Sequence, residues 1–359
     1  MRPILLNPGP VSLSDGVRQA AVHTDLCHRE PEFFNLQAAV RHDLLSVYEC
    51  DPAQWTSVLL GGSGTTALEA MLSSLLPADA RLLVLENGVY GERLSRIAGI
   101  HGISHEMATH GWMDAIEVDR VEKMLRGGEF THLAAVHHET TTGRLNDVNA
   151  LAELCEKHGV KLLLDAVSSF GAEAVPFDSP ALLACAATAN KCLHGIPGLC
   201  MVFCRRSAIE NAIDPPRSLY LNLPLWSEQQ DKNSTPFTPP VNGILALDQA
   251  LKELRAVGGW AARHAHYRKL MNRVDRALEK YGVERMLKDS EYSCVLHSYR
   301  LPASMDYEHV HDGLKQRGFI IYAGQGALAE QMFRISTMGD ISGYDMERLL
   351  AALHAVFAG

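Results

Sequence analysis

Apolar residues along this chain come in two rhythms. Short unbroken runs predict strands buried on both faces: WTSVLL at 55–60, RLLVLEN at 81–87, THLAAVHHET at 131–140 with a polar end, and VKLLLDAV at 160–167. Between them lie stretches whose apolar positions recur three and four apart: ALEAMLSSLL (67–76), YGERLSRIAGIHG (90–102) and VNALAELCEKHG (148–159). That spacing predicts helices, the last closed by its glycine, and residues 34–50 predict another. Strands alternating with helices imply a layered α/β fold around a mostly parallel sheet. Past about residue 210 the rhythm changes. Proline-rich turns, DPPRSLYLNLPLW (214–226) and NSTPFTPPVNG (233–243), precede a helical stretch from 244 to about 280. SCVLHSYRLP, HVHDGLKQRGFIIYAG and FRISTMG then predict a smaller α+β unit, with a soft boundary near 245 and no internal repeat.

Length and composition narrow the classes. A chain of 359 residues suits two domains better than one core. A net charge of -9 gives no general pull toward nucleic acid or an anionic membrane. The eight cysteines are scattered and form no CxxC pair, so free thiols in a reducing compartment are expected. The start, MRPILLNPGP, lacks the long apolar region of a signal peptide, and no segment has 18 uninterrupted apolar residues. A soluble, cytoplasmic protein is the expectation.

Three places carry candidate chemistry. GGSGTTALEA (61–70) joins a strand to a helix, where backbone N–H groups and the Ser63, Thr65 and Thr66 hydroxyls suit an anion. It matches neither a dinucleotide nor a P-loop fingerprint, and a plain turn is equally compatible with it. Asp165 ends an apolar strand, at the sheet edge where open α/β folds bind ligands, although it could simply cap the next turn. Lys191, among the small residues of ATANKCLHGIPG, is the third; desolvation would lower its pKa and make it an imine-forming nucleophile. Pyridoxal phosphate explains all three at once, with an aldehyde for the lysine, a phosphate for the loop and a ring nitrogen for the carboxylate. His137 and His138 point to opposite faces of a strand without completing a metal set, so no metal is expected. Cys192 reads as small packing beside the lysine.

The ordered motifs NPGP (7–10), DLCHREPEF (25–33), GGSGTTALEA, NGVYGER (87–93), HHETTTG (137–143), LLLDAVSSFG (162–171), TANKCLHGIPG (188–198), TPPV (238–241) and FRISTMG (333–339) resemble the class V aminotransferases of the fold-type I pyridoxal phosphate enzymes. The resemblance covers essentially the whole chain. It implies a large cofactor-binding domain over 15–245 with a mostly parallel seven-stranded sheet. It also implies a small α+β domain over 246–359, with segment 1–14 packing near it and near the active site. By the same resemblance Lys191 would bond the cofactor and act as the proton-transfer base, and Asp165 would pair with the ring nitrogen. Ser63, Gly64 and Thr65 would hold the phosphate, with Asn190 nearby and Thr238 reaching in from the other subunit of a homodimer. Tyr90 would lie against the ring, Thr141 would meet its phenolic oxygen, and Arg334 would clamp the acceptor's carboxylate, with Gly9 and Arg29 lining the substrate side. His28 and Arg29 are compatible with binding the donor or with pinning the N-terminal segment, and the role of His194 is open. Within the family, DxCxREPEF, ETTTG and ANKC look most like the members that use 2-aminoethylphosphonate and pyruvate; an alanine–glyoxylate or serine–glyoxylate type is the alternative. The partners implied are a small amino donor and a keto acid.

Overall fold

The computed structural model describes residues 2–358. Seven strands form the main sheet: β1 (Trp55–Gly61), β2 (Arg81–Glu86), β3 (Ser104–Thr109), β4 (His132–Val136), β5 (Lys161–Asp165), β6 (Leu182–Thr188) and β7 (Leu199–Arg205). Their spatial order is β1-β7-β6-β5-β4-β2-β3. Only β7 runs antiparallel to its neighbours; every other pair is parallel. The sheet is therefore mostly parallel and seven-stranded, as the resemblance implies.

Both faces of this sheet are covered, which explains the unbroken apolar runs. Leu162 and Leu164 enter one core with the helices α1 (Pro31–Ser46), α4 (Val148–His158) and α5 (Val241–Ala256). Leu163, between them, enters the opposite core with α2 (Gly64–Leu75) and α3 (Val89–Ile100). The run at 131–140 is not one strand. β4 ends at Val136, the His137 N–H donates to the Asp165 carbonyl at 2.9 Å, and His138–Glu139 then pairs antiparallel with Arg144–Leu145. Gly143, at φ +92, permits that turn, since a Cβ there would lie 2.5 Å from the Leu296 carbonyl oxygen.

After α6 (Gly259–Glu279) comes a three-stranded antiparallel sheet of β8 (Leu296–Arg300), β9 (Tyr322–Ala323) and β10 (Met332–Ser336), with β10 central. It packs with α7 (Tyr307–Gln316) and α8 (Gly343–Phe357) in a separate apolar cluster. Ile4–Leu5 pairs with Phe319–Ile320, so the N-terminal segment starts against this C-terminal α+β region before crossing to the main sheet. Glu173 links the two regions: its carboxylate accepts from Ser293 Oγ at 2.6 Å and from the Cys294 N–H at 2.7 Å, and pairs with His264 at 3.1 Å. Glu173, His264 and Cys294 lie close enough together to suit a metal ion, but those bonds already occupy the carboxylate. None of the eight cysteines forms a disulfide. No helix among the described residues is long and apolar enough to cross a membrane.

Candidate active site

The site is assembled at the C-terminal edge of the parallel strands. β1 ends at Gly61, and α2 begins at Gly64 with Ser63 as its N-cap. The Ser63 N–H donates to Thr66 Oγ1 at 3.1 Å, which holds the turn. First-turn N–H groups have no acceptor within their own helix, so those of Gly64 and Thr65 point outward at the positive end of α2. Gly64 has to be glycine, because a Cβ there would sit 2.6 Å from Val167 Cγ1. That close approach brings the turn against the segment following Asp165.

Asp165 closes β5 and is 3% exposed. Its Oδ1 accepts from the Val167 N–H at 2.9 Å. Burial pushes its pKa up to about 6, opposed by the Val167 bond and by the charges of Arg93 and Lys191. Lys191 lies in the turn between β6 and β7. Burial draws its pKa down to about 8; Cys192 and Asp165 oppose the fall, and Arg93 and Arg334 add to it. Its Nζ donates to the Pro8 carbonyl, so the N-terminal NPGP turn covers it. Gly9, at φ +101, makes room, since a Cβ there would be 2.8 Å from Lys191 Nζ.

A buried polar turn supports the opposite side. Thr141 Oγ1 donates to Glu139 Oε1 at 2.6 Å and accepts from the Val89 N–H at 3.1 Å. Glu139 Oε2 accepts from the Gly91 N–H at 3.3 Å. The α3 helix, whose own N-cap is Gly88, is thus capped by side chains from a different segment, with Tyr90 in its first turn. Burial raises Glu139 to about 7 against these bonds. Arg334, on β10, is 3% exposed; its Nε donates to Ala323 O at 2.8 Å and its Nη1 to Thr140 O at 2.6 Å. It forms no ion pair among the described residues, while Tyr90, Tyr307 and Glu139 stand near enough to act on its charge.

Lys191, Asp165, the Ser63–Thr65 turn, Tyr90, Thr141, Arg334 and Gly9 therefore converge. Asn190 is adjacent, its Oδ1 accepting from Thr188 Oγ1 at 2.9 Å. Thr238 and Arg29 do not join them within this chain: Thr238 is exposed, and exposed Arg29 donates to Thr235 O at 2.8 Å. His28 is half-buried in the same N-terminal stretch as Arg29. His194, at φ +65, turns the other way, its Nε2 accepting from the Gly339 N–H at 3.1 Å and meeting the Tyr267 hydroxyl. Cys192 is packing: it is fully buried, its Sγ donates to Ser168 O at 3.3 Å, and burial lifts its pKa to about 12. His138 is held neutral, burial lowering it to about 4, with Nδ1 3.1 Å from Ser168 Oγ. Three contributors were not singled out from sequence: Arg93, Glu139 and Gln325, whose Oε1 lies 3.4 Å from Thr141 Oγ1. Arg93 lies one helical turn beyond Tyr90, so helical spacing alone could have placed it on the same face.

Comparison with known proteins shows the family. Residues 18–347 match the family model described as aminotransferase class-V. A 2-aminoethylphosphonate–pyruvate transaminase of Phocaeicola vulgatus is 34% identical over 99% of both chains. One of Syntrophobacter fumaroxidans is 37% identical, covering 97% of this chain and 95% of its own. The solved alanine–glyoxylate aminotransferase from Nostoc sp. superposes with a TM-score of 0.91 at 25% identity, over 99% of this chain and 95% of its own. The chain belongs to the class V aminotransferase family.

Proposed function

We propose that this protein is a pyridoxal phosphate-dependent transaminase that moves the amino group of 2-aminoethylphosphonate to pyruvate, releasing phosphonoacetaldehyde and L-alanine. The observation that carries this reading is a buried lysine amine and a buried carboxylate sharing one site with an outward-facing helix N-terminus and an arginine that forms no ion pair among the described residues. These residues fit the cofactor. The Gly64 and Thr65 N–H groups suit its phosphate, Asp165 suits a protonated ring nitrogen, and a lysine near pKa 8 suits its aldehyde. When bound, the cofactor supplies an electron sink for the carbon that loses a proton.

The chain's own groups do the rest. With a pKa of about 8, Lys191 Nζ is partly neutral near pH 7 and accepts the proton leaving the amino-bearing carbon of the donor. It later returns a proton to the carbonyl carbon of the acceptor. Asp165, near 6, stays ionised at neutral pH and holds a cationic partner. Arg334 presents its guanidinium to the anionic end of either substrate, carboxylate or phosphonate in turn. Thr238, exposed in the single chain, would reach the phosphate of a second copy, which makes the proposed working unit a homodimer.

The substrate pair is supported by the two curated relatives above. The likeness to the alanine–glyoxylate enzyme supports a second reading, in which glyoxylate is the acceptor. Steady-state assays separate the two. The first predicts alanine from 2-aminoethylphosphonate plus pyruvate; turnover confined to alanine or serine with glyoxylate would replace it with the second.

A further inference from the structure

Arg93 has no role in the scheme so far, yet it touches two of its parts. Its Nη1 donates to Thr65 Oγ1 at 3.2 Å, and its guanidinium carbon lies 4.6 Å from the centroid of the Tyr90 ring. It forms no ion pair among the described residues, and its charge reaches both Asp165 and Lys191. A guanidinium is always charged and donates only, so Thr65 Oγ1 has to be the acceptor in this contact. The Thr65 hydroxyl hydrogen is then left free to donate into the turn where the Gly64 and Thr65 N–H groups point. One side chain thus fixes the plane of Tyr90, orients the Thr65 hydroxyl and places a positive charge beside an anion-ready helix N-terminus.

We propose that Arg93 is a cofactor-positioning residue, tying the phosphate cup to the stacking ring and supplying the charge that favours a phosphorylated cofactor over its unphosphorylated form. A phosphate monoester carries close to two negative charges at neutral pH, and helix N–H groups alone offer only partial charge against it. Arg93 adds a full positive charge to those partial ones. This rests on the pyridoxal phosphate reading given above.

The test compares binding of pyridoxal phosphate and pyridoxal to full-length protein freed of cofactor, followed by protein fluorescence. Arg93→Gln is expected to weaken pyridoxal phosphate about 10-fold or more while changing pyridoxal less than about 3-fold, the range for losing a hydrogen-bonded charge. Arg93→Lys keeps the charge without the fork, so the preference for the phosphorylated form should largely return. In a Thr65→Val background, Arg93→Gln should cost less than in the wild type, because the contact with Thr65 is already gone. Equal losses for both ligands, unchanged pyridoxal phosphate binding, or strictly additive effects would each overturn the proposal. If Arg93→Gln does not fold, Arg93→Lys and the Thr65→Val cycle built with it decide the matter. Wild-type protein that binds no pyridoxal phosphate would instead sink the functional reading itself, so the two failures are distinct.

Discussion

Removing the Lys191 charge should stabilise the cofactor-free protein at neutral pH, and the size of that effect follows from the structure. Burial lowers the pKa of Lys191 from 10.5 to about 8. Below that value the native state holds a buried charge that the unfolded chain keeps in water, at a cost of about 3 kcal/mol. Lys191→Met removes this cost but also the bond from Nζ to the Pro8 carbonyl, worth about 1 kcal/mol, so the net gain at pH 7 is about 2 kcal/mol. Between pH 8 and 10.5 the unfolded wild-type chain binds more protons than the native one, so wild-type stability rises with pH through this window. The variant's advantage should shrink across it and become a small deficit above it. For a chain of 359 residues the gain corresponds to a rise of roughly 3 °C in Tm. Thermal unfolding of both cofactor-free proteins at pH 7 and pH 10.5 measures it. A variant no more stable than wild type at pH 7, or a difference that ignores pH, would refute the argument that Lys191 is held in a desolvated site.

Three further outcomes follow from the same geometry. Arg334→Gln should raise the KM for pyruvate at least about tenfold, and Arg334→Lys should restore only part of it, since an ammonium cannot reproduce the planar fork; steady-state kinetics with pyruvate varied decides this. Thr141→Val removes the acceptor for the Val89 N–H and the donor to Glu139, costing about 1 kcal/mol as a lost cap and raising the Glu139 pKa further; thermal unfolding at pH 6 and pH 8 should show both effects. Affinity for pyridoxal phosphate should fall as pH drops below about 6, where Asp165 takes up a proton and loses its pull on a cationic partner, on top of the fall that the phosphate's own second ionisation near pH 6 brings; equilibrium titration should show a smaller step in Asp165→Asn, and an undiminished one would contradict the assignment.

The parts of this molecule legible in its sequence are those whose burial is uniform. LLL at 162–164 is apolar throughout because both faces of β5 are covered, and that run led directly to Asp165. β6 and β7 are just as apolar, but the turn of Lys191 and no helix separates them, so the alternation marking the other strands is absent. The reversed direction of β7 goes with that short connection, since a parallel crossover needs about a dozen residues or more. The break after Val136 depends on a bond between His137 and Asp165 on different strands. Within the site, Lys191 stood out through its small-residue surroundings, where a Cβ on Gly195 would lie 2.9 Å from Ala189 Cβ, and the Ser63–Thr65 turn through its glycines, Gly64 approaching Val167 closely. Gln325 carries no such signal: it reaches Thr141 at 3.4 Å from 184 residues away. Arg334 would have passed as an ordinary strand arginine had the resemblance not singled it out; that it pairs with no acid among the described residues is visible only in three dimensions.

The most direct test of the proposed function is a single-turnover absorbance measurement on purified protein loaded with pyridoxal phosphate. It is mixed with 2-aminoethylphosphonate alone, and separately with alanine, serine or glutamate, with no keto acid present. The proposed function predicts rapid loss of the near-visible cofactor band with 2-aminoethylphosphonate and its return when pyruvate is added. No change with that donor, alongside rapid conversion by alanine or serine, would contradict the substrate assignment.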